Sequence, residues 1–76
     1  MNKYVYAEAT QDFWPQLKTV MAPSYREAVD KVIENYSDQF PDDDDFSVIE
    51  DWDDLRNELN SKFGFDLSDL EDVEEL

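Results

Sequence analysis

Twenty-one Asp and Glu side chains against six Lys and Arg, a net charge of −15 on 76 residues, set the tightest limit on what this chain can fold into. An ionised carboxylate must stay in water or find a cation, because burying an unpaired one costs more than a small domain can offset. The acids therefore mark surface, and the core has to come from the apolar 41% of the chain, which includes an aromatic share of 14%. Disordered acidic tails are poor in aromatic residues, so this composition predicts a folded domain. One domain over residues 1–76 is expected, and a chain this short buries only about 60% of its unfolded surface.

The charge is lopsided along the chain. Residues 1–37 hold four Lys/Arg against five Asp/Glu, a net of −1; residues 38–76 hold two against 16, a net of −14. Such self-repulsion opposes compaction. A surface that retains it points to basic partners and disfavours direct contact with nucleic acid or an anionic membrane.

Several chemistries are excluded by what is missing. Without Cys or His there is no disulfide, no thiolate or imidazole metal site and no Ser-His triad. The single glycine, Gly64, cannot make a glycine-rich phosphate cradle. The start, Met1-Asn2-Lys3-Tyr4, lacks the pattern of a secretory signal, and no apolar run approaches the roughly 20 residues of a membrane span. A cytoplasmic location is expected.

The local patterns predict an α+β fold in the order β-β-α-β-α-α. Residues 3–9 alternate like a strand, Asp12-Phe13-Trp14-Pro15 form a turn, and residues 16–22 give a second strand, paired through a loop of about six residues. Ser24 and Glu27 have capping-box spacing, and Ala28, Val29, Val32, Ile33 and Tyr36 form the apolar stripe of a helix over 24–37. Phe46-Ser47-Val48-Ile49 is expected as a third strand. Asp51 suits an N-cap, Trp52, Leu55, Leu59 and Phe63 repeat helically, and Gly64 suits a helix end, which predicts a helix over 51–63. Ser68 and Glu71 repeat the capping spacing, and Leu67, Leu70, Val73 and Leu76 recur every third residue, so a short terminal helix is expected at 68–75. The sum is a small, mostly antiparallel three-stranded sheet packed by two main helices and a shorter one.

No catalytic residue, metal ligand or cofactor site is expected. An EF-hand starting at Asp42 would need Gly at the sixth position and Glu at the twelfth, and finds Ser47 and Asp53. A glycosidase-type carboxylate pair needs a cleft that so short a chain hardly builds. The remaining reading is electrostatic. Duplex DNA presents one negative charge per about 1.7 Å of axis, and carboxylates four apart on a helix are separated by about 6 Å of rise, so a helix face with adjoining loops can imitate a row of phosphates. The candidate partner-binding residues are Asp42, Asp43, Asp44, Asp45, Glu50, Asp51, Asp53, Asp54 and Glu58, continued by Asp69, Glu71, Asp72, Glu74 and Glu75. Charge reversal at Asp53, Asp54 and Glu58 is the natural test. The plainer reading is a solvated surface that only keeps the chain soluble. Trp52 and Phe63 belong in the core; Phe13 and Trp14, beside Pro15, fit either the core or an exposed anchor.

On Asp42–Asp45, the stretch Glu50-Asp51-Trp52-Asp53-Asp54 and the acidic tail Asp69 to Glu75, the chain resembles the small acidic inhibitors that phages and mobile elements direct against bacterial defence, the DNA-mimicking anti-restriction and anti-CRISPR proteins. The resemblance is one of charge and size and transfers no individual residue. It implies a non-enzymatic inhibitor whose partner is a basic nucleic-acid-binding protein: a CRISPR effector or a restriction enzyme; the sequence leaves monomer and dimer both open. Rival expectations are an immunity protein or antitoxin capping a basic toxin, and a phage assembly factor whose acidity confers solubility alone.

Overall fold

The computed structural model describes residues 1–73. It is an α+β domain in which a four-stranded antiparallel sheet carries two helices and a 3-10 turn on one face. Strand β1 spans Asn2–Thr10, β2 Phe13–Ala22, helix α1 Tyr25–Gln39, the 3-10 helix Asp44–Val48, α2 Trp52–Phe63, β3 Asp66–Leu67 and β4 Glu71–Val73. β1 is central, with β2 along one side and the short β3 and β4 along the other.

The hairpin is tighter than its sequence implies. Thr10 pairs with Phe13 across a turn at Gln11-Asp12, so the expected six-residue loop does not exist and β2 begins before Pro15. Glu8 pairs with Gln16 and Thr10 with Phe13, which leaves Ala9 facing both Trp14 and Pro15, a β-bulge. Pro15 lacks an N–H, and a bulge in an edge strand is one of the few strand positions that tolerates it.

Both main helices form where their caps place them. The Ser24 hydroxyl accepts from the Glu27 N–H, and α1 buries Ala28, Val29, Val32, Ile33 and Tyr36. The Asp51 carboxylate accepts from the Asp54 N–H, and α2 ends at Gly64, whose φ of 72° is the left-handed conformation that glycine adopts without a Cβ penalty. Opposite them the sheet offers Tyr4, Tyr6, Ala22 and Leu67 to one core with Leu55 and Leu59. Tyr6 meets Trp52 edge-to-face at 5.1 Å, and Phe40 stacks on Phe63 at 4.0 Å.

Two expected elements are replaced. The strand at 46–49 is a 3-10 helix: the Asp43 carboxylate accepts from the Asp45 N–H and starts a turn that buries Phe46 and leaves Val48 73% exposed. The helix at 68–75 is, as far as Val73, strand and loop; Glu74, Glu75 and Leu76 lie outside the described residues. The vacant edge of β1 wins this segment. Ser68, expected as a cap, bonds that edge instead: its hydroxyl accepts from the Ala7 N–H at 2.8 Å, and its N–H donates to the Ala7 carbonyl at 3.0 Å. Leu67 and Leu70 are thereby buried, and the Trp52 indole N–H caps the Ser68 carbonyl at 2.9 Å.

One polar chain crosses the core. The Tyr6 hydroxyl donates to that of Tyr36, which donates to the Glu8 carboxylate. Burial pushes both tyrosines above their ordinary pKa of 10.0, and at Tyr36 the Glu8 carboxylate adds to the rise. A folded-state pKa above the unfolded one contributes stability that is complete below the unfolded value and fades as pH rises past it. Alkaline titration should therefore show Tyr6 and Tyr36 ionising together with unfolding, beyond pH 10.0, and tyrosinate absorbance read beside circular dichroism checks this.

Candidate functional site: an acidic helix-and-loop surface

Strand alternation separates two very different faces. The inner face of the sheet carries Tyr4, Tyr6 and Val20 toward the helices. The outer face carries Lys3, Val5 and Ala7 of β1, Leu17, Thr19 and Met21 of β2, and Glu71 and Val73 of β4. Among these the charges are one Lys and one Glu; Asp66 of β3, opposite Ala9, adds one acid at the end of this face, its carboxylate accepting from the Asn60 side chain of α2, so the face carries little net charge. The acids collect on the other side, on the solvent surfaces of α1 and α2, on the 3-10 helix and in the adjoining loops.

The acidic surface has an internal order that sequence alone did not expose. Lys62, at the end of α2, reaches into a group of three carboxylates. Its ammonium donates to Asp43 Oδ1 at 2.9 Å and to Asp45, and lies 2.9 Å from Glu58 Oε2 as an ion-pair contact rather than an aligned hydrogen bond. The hydrogen bond from Lys62 holds the Asp43 carboxyl below its ordinary range, and the three acids hold Lys62 above the usual lysine range. These carboxylate oxygens lie within 4.8 Å of one another, close enough to hold a metal ion, but the ammonium sits among them and supplies the positive charge. Arg56 does similar work nearly two turns back, pairing with Asp69 at 3.2 Å and Asp53 at 3.9 Å. The signals for both were the helical spacings Glu58–Lys62 and Asp53–Arg56.

The fourteen candidate residues thus divide by role. Asp43, with its side chain 9% exposed, and Glu58, at 16%, are turned into the Lys62 cluster and are poorly placed to meet a partner. Asp45, Asp53 and Asp69 are exposed but ion-paired, and Asp51 caps α2. Asp42, Asp44, Glu50 and Asp54 are exposed and, among the described residues, without an ion-pair partner. Asp54, Asp45 and Glu58 line one shallow hollow with Val48 and Ile49. Asp51, Asp53 and Asp69 line a second hollow beside Tyr25 and Arg26. Glu71 does not join them, since it stands on the outer sheet face; Asp72, opposite Tyr4, is at the β4 edge. Glu74 and Glu75 lie outside the described residues.

Replacing Lys62 by Met should destabilise the fold at neutral pH by leaving three carboxylates crowded without their cation. Asp43, depressed in the folded state, contributes stability that is present above its ordinary 3.8 and lost as pH falls below it. The gap in urea midpoint between K62M and the parent should therefore be full at neutral pH and narrow as pH is lowered below 3.8 and the cluster protonates.

The arrangement defines a class: a small acidic α+β domain that, among the described residues, has one strongly anionic and one weakly charged face. No protein-family model matches the chain, and no curated protein or solved structure matches it either. Among the described residues no helix is long and apolar enough to cross a membrane.

Proposed function

We propose that this chain is a non-enzymatic inhibitor that sets its acidic helix-and-loop surface into the DNA-binding groove of a bacterial defence nuclease, a CRISPR effector or a restriction enzyme. The observation that carries the reading is the segregation of charge: the chain has a net of −15, yet among the described residues its outer sheet face carries little of it. A coat serving solubility alone has no need to spare one face. The 3-10 helix, the loop after it and the first turn of α2 present Asp44, Glu50 and Asp54 close together in the chain, with Asp42 just before them, all exposed to the arginines and lysines of a groove built for phosphates. Lys62 and Arg56 hold the neighbouring acids in place, so this part of the surface is ordered before it meets a partner.

Competition tests this. The purified chain is titrated into an RNA-guided DNA nuclease and a restriction endonuclease, each with labelled duplex bound. The expected result is duplex displacement at stoichiometric chain, with cleavage lost in step and restored by excess duplex. Formation of a ternary complex with DNA and the chain would place the contact away from the groove and refute mimicry. Capture of a basic toxin in place of a nuclease would favour the immunity-protein alternative.

A further inference from the structure

We propose that the outer face of the sheet is the docking site for a second copy of this chain, packed sheet to sheet, because among the described residues it is largely apolar, exposed and low in charge, so that two such acidic molecules can meet there with few opposing like charges. This goes beyond the inhibitor reading and does not depend on it. Leu17 is 79% exposed, Met21 44% and Val73 38%, around the half-buried Val5 and Ala7 of the central strand, and Trp14, 89% exposed, extends the patch beside the bulge. Side chains of this size leave several hundred Å² of apolar surface in water, at the upper end of what monomers expose. The molecule measures 38 × 28 × 18 Å, so its broad side accommodates the roughly 800 Å² per partner of a stable interface.

Charge selects the occupant. A basic partner is drawn to the helix side, where the acids are. On the outer face Lys3 and Glu71 lie two positions apart in register, and a two-fold axis between them sets each Lys3 against the other copy's Glu71. A self-complementary patch of this kind is what an isologous dimer requires. Sheets packed this way sit about 10 Å apart, and both acidic surfaces remain outward.

The test is molar mass by sedimentation equilibrium over a range of concentrations, in about 0.05 M and about 0.5 M NaCl, where screening differs strongly. The mass should climb from 9.0 kDa toward twice that value, and association should tighten with salt as repulsion between two −15 chains is screened. The double variant Leu17→Asp, Met21→Asp should weaken dimerisation at least tenfold while its circular dichroism stays that of the parent, since both side chains are exposed. The pair Asp44→Lys, Asp54→Lys, on the other face, should dimerise at least as well as the parent. A mass of 9.0 kDa at every concentration in both salts would overturn the proposal and leave the face to a different protein. A dimer that dissociates as salt rises, or that survives the Leu17/Met21 variant, would overturn it as well.

Discussion

Reversing Asp44, Glu50 and Asp54 to Lys together should weaken inhibition of the target nuclease by at least about a hundredfold: each change removes an attraction of up to about 1 kcal/mol and adds a comparable repulsion, and every 1.4 kcal/mol is tenfold in affinity. All three residues are exposed, and none engages Lys62 or Arg56. The triple variant should keep the parent's circular dichroism and lose only a little stability, chiefly through Asp54, whose charge favours the first turn of α2. The set differs from the one the sequence invites. Asp53 pairs with Arg56, and Glu58 is turned into the Lys62 cluster, so reversing those would confound binding with folding. Titration calorimetry with circular dichroism on the same samples separates the two. An unchanged inhibition constant would move the contact off this end of the domain.

This contrast marks where the site was legible. Composition and the asymmetry between residues 1–37 and 38–76 were enough to see an anionic surface, and the spacing of Asp54 and Glu58 was enough to place both on one side of α2. Which acids stay available depends on two cations. Lys62 gathers Asp43 and Asp45 from the start of the 3-10 helix, whose distance in space a linear reading does not contain. The weakly charged face was harder to foresee. It arises from the register of β1 with β2 and β4, which is non-local, and it settles Trp14 and Phe13 as exposed, at 89% and 71%, rather than core.

Truncating Leu59 to Ala should cost about 3 kcal/mol, the usual range for a fully buried leucine. Leu59 is 0% exposed on the inner side of α2, and its carbonyl also accepts the Phe65 N–H at 3.2 Å as the chain leaves the helix. At roughly 0.05–0.15 kcal/mol per residue, a domain of this length has a total stability of only several kcal/mol. The loss should lower the melting temperature by roughly 15 °C, at about 4–8 °C per kcal/mol for small domains. Val48→Ala, at a side chain 73% exposed, should change stability by less than about 0.5 kcal/mol. Paired thermal melts decide it. Equal effects at the two positions would mean that α2 does not hold the core.

The same physics explains which elements the sequence foretold. The helices α1 and α2 carry their instructions locally: Ser24 and Asp51 cap them, an apolar stripe follows each, and Gly64 stops the second. Where a segment's fate depends on a distant partner, local reading fails. Leu67, Leu70 and Val73 recur every three residues, as a helix would have it, yet the unpaired amides and carbonyls of β1 draw that segment into the sheet. Phe46-Ser47-Val48-Ile49 has strand-forming residues, but the Asp43 carboxylate offers a nearer hydrogen bond and turns the chain instead.

The most direct check of the central claim is the affinity of the unaltered chain for its nuclease as a function of salt. A surface that stands in for phosphates should lose at least about a hundredfold in affinity between about 0.05 M and 0.5 M NaCl, linearly in the logarithms, as DNA does at the same groove. An affinity that holds within about twofold across that range would contradict an electrostatic mimic and leave the charge of this molecule without a partner.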